Sequence, residues 1–190
     1  KDLKEWNYLS SFGEGIGNHN GVWECPDLFE LPVRGTDQTK WVHLVSINPG
    51  GPNGGSATQY FIGDFDGKKF VIDHDFETQM KNKHDFWTDF GKDNYAGVTF
   101  SNWESDKGGV LLLGWMSNWQ YASKVPTNIW KSAMTLGREL ELYKTKENSY
   151  RLRSILSSNF GNYESMAIEK QGELIKENIT LVTKKTIDLS

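Results

Sequence analysis

The chain has 190 residues, enough for one domain, and its formal net charge of -4 argues against nucleic acid and anionic membrane surfaces as partners. Aromatic side chains make up 13% of it, including 8 tryptophans, which is typical of either a sugar-binding surface or a tryptophan-rich β core. The sequence has no run of about 18 apolar residues and no apolar leader after Lys1, so we expect a soluble chain that begins inside a longer protein.

The first predicted elements are two strands and a loop. Residues 5–12 are predicted to form a strand. The glycine-rich residues 13–21 are predicted to form a loop, because glycine at this density disfavours regular structure. Residues 41–47 form a short, nearly continuous apolar run between turn residues, which indicates a buried strand.

A hairpin is the clearest local prediction. Asp66 and Gly67 favour the positive φ angles of a two-residue turn, and the segments 60–65 and 68–72 on either side are rich in strand-forming residues. Later strands are predicted at 95–100, 110–116 and 150–154.

Residues 127–143 are ambiguous, because they combine helical propensity with an interrupting Gly137, and strand is favoured. The whole pattern predicts an all-β chain. Such a chain fits either a β-sandwich or the blades of a propeller, and periodicity leaves both open.

Glu24 is the candidate catalytic residue. It lies in a short apolar and aromatic run, Trp23 to Phe29 (WECPDLF), where a strand that buries its aromatic side chains has no packing use for a carboxylate. A carboxyl group kept in such surroundings suits a general acid. The alternative is a glutamate at a strand edge that points into water, and the spacing leaves both interpretations open.

Cys25 is the single cysteine, so an intrachain disulfide is excluded, and its place in the same apolar run predicts a small buried side chain. The histidines have neither the spacing of metal ligands nor partner cysteines: His19, His43, His74 and His84. We therefore expect neither a metal nor another cofactor.

Four stretches follow one another along the chain: WECPDLF at 23–29, DFGKDNYA at 89–96, GWMSNWQYA at 114–122 and WKSAMTLGREL at 130–140. Together they resemble the motifs of glycoside hydrolase family 32, the invertases, inulinases and levanases that cleave fructosyl bonds. Chance agreement at so many ordered positions is improbable.

The resemblance implies a fold. Members of the family have a five-bladed β-propeller with the active site in its central funnel, followed by a β-sandwich. On that basis we expect residues 1–156 to form the later blades of the propeller, residues 157–165 a linker, and residues 166–190 the start of the C-terminal β-sandwich.

The resemblance also implies retaining glycoside hydrolysis with Glu24 as general acid/base. In the family the nucleophile is the aspartate of a Trp-x-Asn-Asp-Pro-Asn-Gly-like motif, and a second aspartate, in an Arg-Asp-Pro motif, stabilises the transition state. This sequence contains neither motif. We therefore expect this chain alone to lack covalent catalysis.

Asp89 and Lys92 match family positions that bind sugar hydroxyls beside the cleavage point and support the acid/base residue. Trp115, Cys25 and Trp23 complete the implied substrate-binding set. Without the resemblance, Asp89 and Lys92 fit a solvated turn in an acid-rich region, and the tryptophans fit a core. The implied substrates are fructan (levan or inulin) and sucrose, and the implied location is secreted or periplasmic.

A different class of function stays open. A non-catalytic carbohydrate-binding or structural β module could have kept the blades and lost the chemistry. In either case a chain with only some blades leaves strand edges unpaired, so we expect it to associate with the missing N-terminal part or with another copy of itself.

Overall fold

The computed structural model describes residues 2–103 and 108–157, which form an almost entirely β structure and confirm the predicted fold class. In these ranges two antiparallel sheets of four strands each run in chain order. No helix of this part is long and apolar enough to span a membrane. The elements are β1 (Val22–Pro32), β2 (Thr39–Asn48), β3 (Ala57–Phe65), β4 (Phe70–Ile72), α1 (His74–Asn82), β5 (Tyr95–Thr99), β6 (Val110–Trp115), a 3₁₀ turn (Ala122–Lys124), β7 (Arg138–Lys144) and β8 (Tyr150–Leu156).

The first sheet, β1 to β4, contains the predicted hairpin. Strand β3 is buried from Ala57 to Gly63 and turns back into β4 at Asp66. The Asp66 carboxylate accepts the backbone N–H groups of Lys68 and Lys69, at 2.8 and 2.7 Å. Gly67 has a φ of +87°, which a residue without a Cβ adopts at little cost. The hairpin prediction is therefore confirmed.

The other strand predictions are also largely confirmed. The strands predicted at 41–47, 95–100, 110–116 and 150–154 match β2, β5, β6 and β8 to within two residues at either end. In the ambiguous segment 127–143 the strand begins only at Arg138, and before it Met134 forms a single bridge to Trp115.

The predicted strand at residues 5–12 is wrong. This segment has no regular structure and is mostly exposed, and among the described residues no strand offers it a hydrogen-bonding ladder. A strand needs such a partner to satisfy its backbone groups. Only Phe12 is packed against the core.

The sequence analysis missed helix α1. Its start is fixed by Asp73, whose carboxylate accepts the N–H groups of Asp75 and Phe76 at 3.1 and 3.2 Å. Only Phe76 and Met80 bury apolar surface, four residues apart, so the helical pattern is too short to recognise. The predicted linker from residue 158 onward and the predicted sandwich lie outside the described residues.

The two sheets meet along β1 and β7. Val33 forms a parallel bridge with Leu142, and the N–H of Arg34 donates to the Leu142 carbonyl at 2.9 Å. Beside this contact the Glu141 carboxylate, 4% exposed, pairs with the guanidinium groups of Arg34 and Arg153. One side chain of the second sheet is thereby tied to the end of β1 in the first.

Burial alone would raise the pKa of Glu141, but the hydrogen bonds from Arg153 and Arg34 outweigh it and lower that pKa below its ordinary value of 4.5. A lowered folded-state pKa means that the ion pair stabilises the fold fully above the unfolded-state pKa. This stabilisation is lost as the pH falls through the folded-state value.

We expect Glu141→Gln to lower the free energy of unfolding by about 1–2 kcal/mol at pH 7, because both guanidinium groups remain partly solvated. Below about pH 4.5 the free energy of unfolding should also fall less in the variant than in the parent protein. Urea denaturation at pH 7 and pH 3.5 measures both effects. Equal destabilisation at the two pH values would contradict this role for Glu141.

Candidate active site

Glu24 lies on β1 and faces β5, the first strand of the second sheet. Its carboxylate oxygen Oε2 accepts a hydrogen bond from the hydroxyl of Tyr95, which is 3% exposed. Burial, together with this bond to the carboxylate, raises the pKa of Tyr95 well above its ordinary value of 10. The phenol therefore keeps its proton and remains a donor to Glu24.

Glu24 is exposed, so of the two interpretations that its spacing left open, the structure has the glutamate at a strand edge and not the buried carboxylate. The reason is that Glu24 lies on β1, the edge strand of the first sheet, and that its partner on the neighbouring strand is polar. Opposite it on β2 lies the buried Ser46, whose hydroxyl accepts the N–H of Ala96 and contacts the hydroxyl of Thr58, each at 3.1 Å. Buried polar groups that are hydrogen-bonded to one another thus lie beside the carboxylate.

Cys25 is also exposed, so its predicted burial is wrong. Between Glu24 and Asp27 the register of β1 against β2 shifts, and Cys25 adopts a φ of +47° at the resulting β-bulge. A bulge interrupts the alternation of inward and outward side chains, which explains why an apolar-looking run does not bury its cysteine. The thiol is left on the surface next to Glu24.

The side chain of Trp23 packs against the glycine-rich loop and binds it. Its indole N–H donates to the Asn18 carbonyl at 2.7 Å, and its ring stacks on His19 with centroids 4.5 Å apart. Gly13 lies so close to this ring that a side chain at position 13 would collide with it. The predicted loop at 13–21 is confirmed, and Trp23 anchors it.

Asp89 and Lys92 lie in the segment that leads into β5. Asp89 accepts the N–H of Gly91 and the side-chain amide of Asn94, both at 2.8 Å, and so shapes this segment. The exposed Lys92 ammonium donates to the side-chain oxygen of Gln120 at 2.8 Å. The two residues share a loop, but Asp89 forms its hydrogen bonds within that loop, whereas Lys92 binds Gln120 in the loop that follows β6.

Asn118 is a buried residue that the sequence analysis did not single out. Its amide N–H₂ donates to the carbonyls of Lys92 at 2.8 Å and Ser56 at 3.3 Å, and its carbonyl accepts the N–H of Gln120 at 3.0 Å. Gly55, with a φ of +68°, allows this approach, since a Cβ there would collide with the amide. Asn118 therefore joins three loops that follow β2, precede β5 and follow β6.

These loops lie at the same end of the sheets as Glu24. The ladder pairs Val22 of β1 with Asn48 of β2, and Tyr95 of β5 with Trp115 of β6, so the ends that carry the loops coincide. Trp115 is half-buried, and its ring lies 5.0 Å from that of Trp119, which is 55% exposed. An aromatic surface thus borders the polar groups.

A cleft of about 220 Å³ lies elsewhere, between the glycine-rich loop and α1. None of the residues described around Glu24 lines this cleft, and Glu77 is the one carboxylate among its lining residues. Its lining residues are Gly15, Ile16, Gly17, Glu77, Met80, Lys81 and His84. Glu24, by contrast, is an exposed carboxylate with a fixed hydrogen-bond donor. Within residues 2–103 and 108–157 no cluster of three or more histidine, cysteine or acidic side chains could hold a metal ion.

Residues 1–154 match the glycosyl hydrolases family 32 N-terminal domain. The chain belongs to glycosyl hydrolase family 32. It is 53% identical over 143 residues to the levanase of Bacillus subtilis (strain 168), and this match covers 75% of this chain and 20% of that protein. It is 42% identical over 180 residues to the extracellular exo-inulinase of Meyerozyma guilliermondii, covering 94% of this chain and 32% of that protein.

Solved structures agree. The exo-inulinase from Aspergillus awamori superposes with a TM-score of 0.73 at 35% identity, over 84% of this chain and 30% of that one. The β-fructofuranosidase from Schwanniomyces occidentalis, complexed with fructosyl-erythritol, gives a TM-score of 0.65 at 41% identity, over 83% and 29%. The chain thus spans a third or less of these relatives, and its two sheets are part of a β-propeller.

We expect Asn118→Ala to lower the free energy of unfolding by about 1–3 kcal/mol, because it leaves buried carbonyl and N–H groups in the three loops without their partner. Asn128→Ala removes an exposed asparagine side chain and is the matched control. Denaturant unfolding of both variants measures the difference. Equal stability of the two would show that Asn118 does not hold the loops together.

Proposed function

We propose that this chain is part of a retaining β-fructosidase that releases fructose from a fructan or from sucrose, with Glu24 as general acid/base. The observation that carries the proposal is the Tyr95–Glu24 hydrogen bond at an exposed end of two adjoining sheets, beside an aromatic surface. A carboxyl group held by one donor and open on its other side has the position that acid/base catalysis requires.

The hydrogen bond from Tyr95 gives the two carboxyl oxygens of Glu24 different roles. Oε2 accepts from Tyr95, so we assign the proton transfer to Oε1. In the first step Glu24 donates its proton from Oε1 to the departing glycosidic oxygen, and in the second it removes a proton from water. Tyr95 stabilises the carboxylate that forms between the two steps.

Retention needs a second carboxylate about 5 Å away that attacks the anomeric carbon. The sequence lacks the two aspartate motifs that supply the nucleophile and the transition-state stabiliser in this family, so we propose that both come from a part of the protein outside these 190 residues. This chain alone would then be inactive.

Substrate contacts are assigned to groups that reach solvent near Glu24. Lys92 has donors for sugar hydroxyls, Trp115 offers an aromatic face, and Cys25 lies next to the acid/base residue. Asp89 and Trp23 are assigned a supporting role, because their polar atoms already bind the loops that they shape.

The names of the relatives support the substrate class and the location. The relatives are named levanase, exo-inulinase and invertase, and the exo-inulinases of Meyerozyma guilliermondii and Aspergillus niger are described as extracellular. We therefore propose levan, inulin or sucrose as substrate and an exported protein.

A non-catalytic carbohydrate-binding or structural module is the second candidate, because the nucleophile motif is missing from this sequence. The coding sequence upstream of Lys1 distinguishes the two. If it encodes both aspartate motifs, the enzyme is supported, and if a start codon directly precedes the codon of Lys1, the binding module is.

We expect Glu24→Gln, made in the complete protein that contains this chain, to keep the fold and lower kcat on sucrose by about 10²–10⁴-fold, because the proton donor is lost. Glu30→Gln is the matched control, since it neutralises an exposed glutamate on the same strand. Steady-state kinetics and circular dichroism of both variants provide the readouts. Near-parental activity of Glu24→Gln would rule out the assigned role.

The edge strands β1 and β5 also leave apolar side chains in solvent, among them Val22 on β1 and Val98 on β5, which are 66% and 52% exposed. We propose that the rest of the propeller, or a second copy of the chain, covers them. Residues 1–190 made alone should therefore oligomerise or aggregate on size-exclusion chromatography. A monodisperse, well-protected monomer by hydrogen exchange would contradict this proposal.

A further inference from the structure

A second carboxylate on β1 is bound to β5. Asp27 lies three residues after Glu24, and its oxygen Oδ2 accepts both the backbone N–H of Thr99, at 2.7 Å, and the Thr99 hydroxyl, at 2.8 Å. Two donors on one charged oxygen make a stronger and more directional contact than a single neutral hydrogen bond. Neither the motif resemblance nor the substrate set gives Asp27 a role.

The bulge explains why both carboxylates reach β5. In a regular strand, side chains three residues apart point to opposite faces. Here Glu24 pairs with Ser46 and Asp27 with Leu44, so β1 takes three steps where β2 takes two. The extra residue brings Asp27 back to the side of Glu24.

Strand β5 has a matching irregularity. Tyr95 pairs with Trp115 and Val98 with Leu113, again three steps against two, and Ala96 adopts a φ of +53°. The hydrogen bond between Glu24 and Tyr95 lies on one side of the two bulges, and that between Asp27 and Thr99 lies on the other. These two contacts fix both the separation and the register of strands that belong to different sheets.

We propose that Asp27 is a positioning residue for the acid/base group: by holding Thr99, it holds β5 at the distance and register that keep the Tyr95 hydroxyl on Glu24. This inference rests on the proposed role of Glu24. Asp27 acts through β5 and is not assigned any contact with the sugar.

The test compares two substrates of the complete protein. Sucrose has a poor leaving group and needs acid assistance, whereas β-fructofuranosyl fluoride releases a stable anion and needs little. If Asp27 acts through Glu24, Asp27→Ala should lower kcat/KM on sucrose by about tenfold or more and on the fluoride by less than about threefold. Equal losses on both substrates would overturn the proposal, because a merely structural role does not distinguish leaving groups.

Two further variants keep the test decisive if Asp27→Ala fails to fold. Thr99→Val removes one of the two donors, so kcat/KM should again fall more on sucrose than on the fluoride, but by less than in Asp27→Ala. Thr99→Ser keeps both donors and should keep the parental kcat/KM on both substrates. Thr39→Val is the matched control, because it deletes a hydroxyl that donates to the Glu30 carboxylate at 2.6 Å on the same strand, away from the site. A selective loss in Thr39→Val, or none in Thr99→Val, would also overturn the proposal.

Glu24→Gln separates the two proposals. If kcat/KM of this variant does not fall more on sucrose than on the fluoride, the function proposed for Glu24 is wrong, and so is the role of Asp27 that rests on it. If Glu24→Gln shows the selective loss and Asp27→Ala and Thr99→Val do not, only the positioning role of Asp27 is wrong.

Discussion

The geometry around Glu24 depends on side-chain hydrogen bonds between β1 and β5, which belong to different sheets and share no backbone ladder. The Tyr95 hydroxyl on Glu24 and the Thr99 donors on Asp27 take the place of that ladder. Their arrangement requires left-handed backbone at one non-glycine residue of each bulge, at a cost of roughly 1–2 kcal/mol each. Strain of this size, kept at two facing bulges, is typical of a site where position matters more than stability.

The contact between the sheets is polar at both ends and apolar between them. At the far end the Glu141 carboxylate pairs with two guanidinium groups, and between the ends Leu31, Leu112 and Leu140 pack into one core. At the Glu24 end Asn118 joins three loops through hydrogen bonds to their backbone groups, which hold the loops to one another. The rigid sheets thus hold an exposed carboxylate in a fixed setting, which is how catalytic groups are generally presented.

The sequence predicted the strands and the hairpin because alternation and turn residues are local signals. It left the exposure of Glu24 open and predicted a buried Cys25, since a bulge changes which face a residue occupies without changing the apolar pattern. Tyr95 lies within a recognised motif, but its bond to Glu24 spans 71 positions of sequence and has no local signature. Residues 5–12 have strand composition, yet among the described residues no strand pairs with them.

We propose that Glu24 meets the glycosidic oxygen with one carboxyl oxygen while Tyr95 binds the other. A crystal structure of the complete protein carrying Glu24→Gln, with an uncleaved fructo-oligosaccharide bound, tests this most directly. We expect a glycosidic oxygen about 3 Å from one atom of the side-chain amide at position 24 and the Tyr95 hydroxyl on the other. A sugar bound in the cleft between the glycine-rich loop and α1, or a glycosidic oxygen beyond hydrogen-bonding reach of position 24, would contradict it.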